Sequence, residues 1–409
     1  MKLLQQAHRA SLHTNSTRRG MVLVIAVVLM TAIMGIAALS IDLGYIFVIR
    51  DQMQTAVDAA ALAAAAELGD GYGAGASRTQ AEIVNLGQTA GQTVAASNRM
   101  LDRPSAYLSP SRDLVFGKRV YNSSTQMWSY QWGNGPYDCV KATIHRDQPP
   151  PPVGSGITAP PDGSLNLLFA RVLGHKNSSM KSSAVAALKP GVGVRLLAGG
   201  SSAVTLKILP IALDQQTWAN LIANTGSVQF ADDYSYDPDS GLATKGADGI
   251  LEVNIYPYGS SNLPPGNRGT VDIGSPNNST ADLSRQIRYG QNAYDMSFFP
   301  NSELRFDNGP MILNGDTGIS AGIKDDLASI IGQPRLMPLF TSVAGPGNNA
   351  MYTIPKLVGI RIVFVQLTGS PSQKQVIVQP ATVVTSQAIT SNSEQIATDS
   401  FFGPVRLVQ

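Results

Sequence analysis

Few residues in this chain have the type and spacing to do chemistry. It has four histidines, His8, His13, His145 and His175, and one cysteine, Cys139. No H-x-x-x-H or H-E-x-x-H occurs, so the paired imidazoles of a helical zinc hydrolase site are not expected. A single thiol can form neither an internal disulfide nor a multi-cysteine metal site. Gly199-Gly200-Ser201-Ser202-Ala203 comes nearest to a nucleophile elbow, but it lacks the closing glycine and reads as a connector. Asp232-Asp233, with Asp237 and Asp239, offers oxygen donors of the kind calcium takes. The run DDYSYDPD lacks the glycine and distal glutamate of an EF-hand loop, so it reads as a solvated turn. Asp325-Asp326 reads as favourable negative charge at a helix start. Gly71, Gly73 and Gly75 follow no strand and precede no Lys-Ser/Thr, so they read as a hinge and not a phosphate loop. No catalytic, cofactor-binding or metal-ligating residue is expected. Paired carboxylates for sugar cleavage remain open, because separation along a chain says nothing about separation in space.

The element that organises the chain is apolar. Gly20 to Ile41 carries no charge, and its only polar side chains are Thr31 and Ser40. A helix of roughly 20 such residues rises ~30 Å, the thickness of a bilayer's hydrocarbon core. Lys2, Arg9, Arg18 and Arg19 precede the run with no acid among them, and Asp42 follows it directly. Basic residues hold their end of a span in the cytoplasm, which puts residues 1–19 inside and 42–409 outside. Two other readings compete. A buried core helix rarely runs this long without a polar stripe. A cleaved secretory signal has an apolar region of only ~7–15 residues, although Gly35-Ile36-Ala37 and Ala38-Leu39-Ser40 offer small-x-small cleavage patterns.

Composition agrees with an exported, anchored protein. Of 409 residues, 43% are hydrophobic and 14% charged, well below the usual ~25% charged. Residues 1–50 carry five Lys or Arg and one acid, while the remainder carries 25 against 27. That balance offers no basic surface for nucleic acid.

The apolar helix is expected to continue past the membrane. Asp42–Leu68 is alanine-rich and proline-free, with Gly44 its one weak point. Met53, Val57, Ala60 or Ala61, and Ala64 share one face, and Arg50, Gln54 and Asp58 another. Tyr45 and Phe47 stand where an interfacial aromatic anchor belongs. Small residues allow another helix to approach closely, so Arg18, Arg19, Gly20, Gly35, Asp42, Gly44, Asp58, Ala60, Ala61 and Ala64 are the expected membrane-anchor and helix-packing positions. A second helix is expected over 78–99, with Ile83, Leu86, Ala90 and Val94 as its apolar recurrence. From Arg112 the period becomes that of strands: DLVFGKRVY, MWSYQW and YDCVKATIH. LNLLFARVLG (165–174) reads as a short apolar helix, and Met180–Leu188 as a strand able to pair with YDCVKATIH. Beyond 191, the expected elements are a strand at 206–213, helices at QTWANLIAN, 281–289 and 320–331, and a final hairpin over 358–369 and 374–384. The fold class is α+β. The organisation is a cytoplasmic tail (1–19), a transmembrane helix (20–41), a stalk with a second helix and small sheet (42–190), and a mostly β extracytoplasmic domain (191–409).

Several of these stretches together resemble the Flp/Tad pilus-assembly proteins of the TadG-like group. They are Arg18-Arg19-Gly20 and the apolar run, Ile41-Asp42-Leu43-Gly44, Val48-Ile49-Arg50, and Gln52 through Ala63. Leu167 through Gly174 and the alternating strand to Leu188 are similar to that family's end-of-domain pattern. The resemblance covers residues 18–68 most clearly and fades beyond 190. It implies a single-pass protein of the bacterial cytoplasmic (inner) membrane with a structural role in pilus assembly or secretion and no enzymatic activity. Its implied partners are the lipid bilayer, other pilus-assembly or pilin-like membrane helices, and envelope or adhesion partners. Related pilins carry Glu five residues after their processing glycine; Ile25 stands there, so cleavage after Gly20 is not expected. Some members carry a von Willebrand A domain with a D-x-S-x-S cation site. Asp295-Met296-Ser297-Phe298-Phe299 fails that pattern at its last position. The competing function is a membrane-anchored extracytoplasmic hydrolase or glycan-binding protein, suggested by the size of the C-terminal domain.

Overall fold

The computed structural model describes residues 17–149, 151, 160–196, 204–225, 230–256, 269–275, 279–315, 321–346, 349–391 and 396–408, with side chains from Met21 onward. The 199–203 connector, the tail histidines and the tail cations Lys2 and Arg9 lie outside these residues.

Along the chain, α1 (Thr17–Ala66) is followed by a 3-10 turn (Glu67–Gly71), α2 (Gln80–Ser97) and α3 (Pro110–Asp113). Next come β1 (Leu114–Asn122), β2 (Met127–Trp132), β3 (Cys139–Arg146), β4 (Leu165–Asn166), β5 (Asn177–Ser178) and the long β6 (Met180–Arg195). The remainder contains β7 (Leu213–Asp214), α4 (Gln215–Ala223), β8 (Tyr234–Asp237), β9 (Leu242–Lys245), β10 (Val253–Asn254), α5 (Thr280–Tyr289) and α6 (Ala293–Met296). It ends with β11 (Glu303–Arg305), β12 (Met311–Gly315), α7 (Lys324–Ala328), β13 (Pro334–Phe340), β14 (Ser342–Ala344), β15 (Ala350–Ile354), β16 (Lys356–Gln366), β17 (Gln375–Pro380), β18 (Ala388–Thr390) and β19 (Phe402–Leu407). The class is α+β, as the sequence leads one to expect. The boundary expected at 190–191 falls inside β6, which runs unbroken to Arg195.

The chain divides into two compact units. The first comprises residues 1–55, 98–107 and 144–182, and the second 56–97, 108–143 and 183–409. In the first unit the turn at Met100–Arg103 is fixed from two sides. Its Leu101 N–H donates to Gln52 Oε1 at 2.7 Å, and Arg146 grips Asp102 through both terminal nitrogens, at 3.1 and 2.6 Å. Arg146 is itself buried and donates from Nε to the Gly163 carbonyl. A buried guanidinium needs such saturation, because an unpaired charge out of water is costly.

The second unit is built on three main sheets, ordered β11-β6-β3-β1-β2 (with β18 and β19 also on β6), β10-β17-β16-β13-β7, and β12-β15-β14. The β16 sequence KLVGIRIVFVQ is almost continuously apolar, as a strand covered on both faces must be. Trp218, Leu283, Ile287 and Leu327 from the helices meet Met337, Ile360, Ile362 and Val378 from the sheet in one core. A second core gathers around Tyr352 and Phe340, whose rings stand edge to face at 5.1 Å. The pairing of β3 with β6 is that expected from their alternating patterns.

Four local expectations are corrected. The apolar stretch 165–174 is not a helix: it is a strand residue pair, an exposed turn and a four-residue 3-10 segment (Ala170–Leu173). The α2 face buried in the structure is Ile83, Gly87, Gly91 and Ala95, while Leu86 is exposed. The helix expected over 320–331 shortens, among the described residues, to a 3-10 turn at 321–323 and five residues of α7. The stretch 206–213 makes isolated bridges at Leu206, Ile208 and Ile211 before the two-residue β7. The glycine loop after α1 is also no open hinge. Gly69 and Gly71 are buried, and Gly73, at φ +79°, has its Cβ position against the Thr398 carbonyl. Ala74 N–H donates to that same carbonyl at 2.9 Å.

Candidate functional site

Among the described residues α1 alone is long and apolar enough to cross a membrane. The helix forms because nothing in Gly20–Ile41 breaks it, and its two hydroxyls are satisfied internally. Thr31 Oγ1 donates to the Val28 carbonyl at 2.9 Å and Ser40 Oγ to the Ile36 carbonyl at 2.8 Å. The span therefore leaves no polar side chain asking for protein cover, which is what lipid requires. Its large apolar side chains from Met21 to Ile41 are exposed, most by half or more. A Cβ added at Gly35 or Gly44 meets nothing within 4 Å. Arg18, Arg19 and Gly20 lie in the first turns of the helix, their side chains outside the described set.

The stalk half of α1 is the opposite. Met53, Val57, Ala60, Ala61 and Ala64 are fully buried, and Asp58 is half-buried on the flank. In the second unit the Ala60 and Ala64 carbonyls lie against Gly91 and Gly87 of α2. At Ala60 and Ala64 the stalk is thus met by the chain's own second helix, with glycines at four-residue spacing supplying the close approach. The sequence carries this signal in Gly87 and Gly91, which read as helix-weakening residues until their common face is seen.

Asp42, the first residue beyond the apolar run, has only 2% of its surface exposed. Its carboxylate accepts the backbone N–H groups of Leu168 (2.9 Å), Phe169 (3.3 and 3.0 Å) and Ala170 (2.6 Å). These N–H groups open the 3-10 turn at Ala170–Leu173, where backbone donors would otherwise lack partners. The turn is the tip of the β4–β5 hairpin, closed at its base by Leu167 N–H donating to the Lys176 carbonyl at 3.0 Å. The charge at the end of the apolar run and the LLFARVLG motif, 126 residues apart at their nearest, are therefore one structural feature.

In the stretch 232–252 of the second unit, acidic side chains bind the backbone N–H groups of its turns. Asp232 accepts the N–H groups of Asp248 and Gly249 at 3.0 and 2.9 Å. Glu252 accepts those of Tyr234 and Asp233 at 2.7 and 3.3 Å. Asp237 accepts the Asp239 N–H and the Ser240 hydroxyl, and Asp239 pairs with Arg78. Burial, joined by the neighbouring Asp233 and Asp232 charges, pushes the Glu252 carboxyl up to about 7 against the pull of its two N–H donors. Among the described residues no three His, Cys, Asp or Glu side chains are grouped to hold a metal. A cleft of about 190 Å³ is lined by Asp307, Lys356 and Asp399 among others. Its carboxylates are already engaged, Asp307 with Arg305 and Asp399 with Lys356 and the Trp218 indole N–H. Cys139 is fully buried beside Val185 and Ala187. Burial and the adjacent Asp138 push its thiol up, so it stays protonated and unreactive. An impermeant thiol reagent therefore reads its burial and not its side of the membrane.

Comparison with known families places one part of the chain. Residues 20–67 match the model of the putative TadE/G-like Flp pilus-assembly family. The match covers the apolar span, Asp42 and the alanine stalk, and stops where the glycine loop begins. No curated protein and no solved structure matches the chain.

Proposed function

We propose that this chain, whose residues 20–67 are TadE/G-like, is a bitopic component of a Flp/Tad-type pilus-assembly or secretion apparatus. It acts by anchoring and assembly rather than by turnover. The N-terminus faces the cytoplasm, and residues 42–409 lie outside the inner membrane. The observation that carries this reading is the contrast along α1. The stalk alanines are buried, with α2 against Ala60 and Ala64, whereas the span is exposed along its length and open at Gly35. A bare apolar helix is soluble only in lipid or against other membrane helices, so the span is where pilin-like helices would pack.

Gly35→Leu is the matching test. A Cβ added there meets nothing within 4 Å inside the chain, so the substitution should leave folding unchanged. A photo-reactive residue at Ile36 should crosslink to a neighbouring membrane helix in the Gly35 protein and lose most of that yield in Gly35→Leu. Equal crosslinking in both, or none in either, refutes helix pairing through this face.

A further inference from the structure

We propose that the hairpin tip Leu168–Leu173 is a second membrane contact, an apolar wedge seated in the lipid interface beside the span. The inference rests on the membrane reading above and adds to it a surface that lies outside the family match. Its basis is the Asp42 clamp. The 22 residues from Gly20 to Ile41 rise ~33 Å, slightly more than a hydrocarbon core of ~30 Å, so Asp42 stands at the edge of the headgroup layer. Three consecutive backbone N–H groups of the tip bind that carboxylate directly. The tip is thereby tied to the height of the membrane exit.

The side chains at that height are those of an interfacial segment. Leu168 is 59% exposed, Phe169 44%, Val172 89% and Leu173 78%, although the hairpin's own Leu165 and Leu167 are buried. Nowhere else beyond α1, among the described residues, do four exposed large apolar side chains fall within six positions. Lone exposed apolar residues are ordinary, whereas a cluster of them marks an interaction surface. Residues 167–176 also contain Arg171 and Lys176, both exposed, and no carboxylate. Cations beside apolar side chains suit the phosphates of anionic lipid. Continuity with the span, and charge of the sign that anionic lipid attracts, identify the occupant as the bilayer surface.

Asp42 caps the turn's first N–H groups, and Gly174, at φ +90°, ends it after Leu173, so the segment stays short and leaves its apolar side chains exposed. An apolar helix would instead bury one stripe of them in the protein.

The experiment uses the full chain in vesicles of phosphatidylethanolamine and phosphatidylglycerol. Single cysteines replace Val172 or Leu173, carry an environment-sensitive fluorophore, and leave the buried Cys139 in place and unlabelled. A third protein carries the probe at Val28, inside the span. The expected result is quenching of all three probes by lipids brominated on their acyl chains, with the Val172 and Leu173 probes shielded from aqueous iodide. Free iodide quenching at 172 and 173, with lipid quenching kept at 28, overturns the wedge and leaves the membrane reading standing. Shielding from iodide without quenching by brominated lipid means a protein covers the tip, and also overturns it. A Val28 probe untouched by brominated lipid removes the span itself, and the wedge with it.

Discussion

The packing of α2 on the stalk half of α1 allows a sharp test, because two glycines on one face are predicted to respond differently to the same substitution. Gly→Ala in a helix interior gains about 1 kcal/mol from propensity alone. Against that stands overpacking, typically about 1–3 kcal/mol. At Gly87 the new methyl would lie 2.9 Å from two carbons of the Phe116 ring and 3.0 Å from the Ala64 carbonyl oxygen. Neither yields easily: the ring is buried on β1, and the carbonyl is backbone. The overpacking cost falls at its upper end, and Gly87→Ala loses about 1–2 kcal/mol net. At Gly91 the nearest atom, at 2.8 Å, is the end of the Leu114 side chain, with the Ala60 carbonyl next at 3.2 Å. A leucine terminus can rotate away, so Gly91→Ala comes out near neutral. The assay is hydrogen exchange of residues 80–97 in the full-length protein, read by mass spectrometry, since local opening reports local stability. With tenfold per 1.4 kcal/mol, Gly87→Ala should exchange roughly 5–30-fold faster and Gly91→Ala about as the parent. If Gly87→Ala slows exchange, as an unhindered helical position would, the claim of close packing at Ala64 is wrong.

Other outcomes follow from the same geometry. Asp42→Ala should raise exchange at Leu168, Phe169 and Ala170 and open the chain to trypsin after Arg171, while α2 stays protected; unchanged exchange at all three amides would show that the clamp does not form. Glu252 should make the fold pH-sensitive. Its folded value of about 7 lies above the ordinary 4.5, so the folded state keeps a proton that the unfolded state has lost, and stability declines as pH rises between those values. Thermal unfolding followed from pH 4 to 8 should show that decline, and Glu252→Gln should flatten it; a rise in stability across the window would contradict the buried-carboxyl account.

The sequence makes the long helix legible because its cause is local. An uncharged run of membrane length and a proline-free alanine stalk need no distant partner to be recognised. The strands of β1, β2, β3, β16 and β17 are readable for the same reason, through alternation or continuous apolarity. What escapes a local reading depends on residues far away in the chain. LNLLFARVLG has a helix's composition, but Gly174 ends its helical turn after four residues, and the carboxylate that caps that turn, Asp42, stands 126 positions off. The buried face of α2 runs through Gly87 and Gly91, where contact comes from the absence of a side chain and a hydrophobicity count sees nothing. The acidic stretch 232–239 has the donors of a cation site, yet Asp232 accepts the Asp248 and Gly249 N–H groups, Asp237 closes its own turn and Asp239 pairs with Arg78. That assignment depends on which N–H groups the fold brings near. Of the ten anchor and packing positions, Ala60, Ala61 and Ala64 face the protein, Asp58 is half-buried, Gly35 and Gly44 face outward, and Asp42 joins the helix to the hairpin, while the surroundings of Arg18, Arg19 and Gly20 lie outside the described set.

The proposed function depends on one helix near the N-terminus holding the rest of the chain outside the cytoplasmic membrane. Protease treatment of spheroplasts, followed by alkaline carbonate extraction of the membranes, tests it most directly. The account predicts that residues 42–409 are digested without lysis, while a fragment containing Met21–Ile41 stays in the carbonate-resistant pellet. Full-length protein protected until lysis, or released by carbonate, would contradict it.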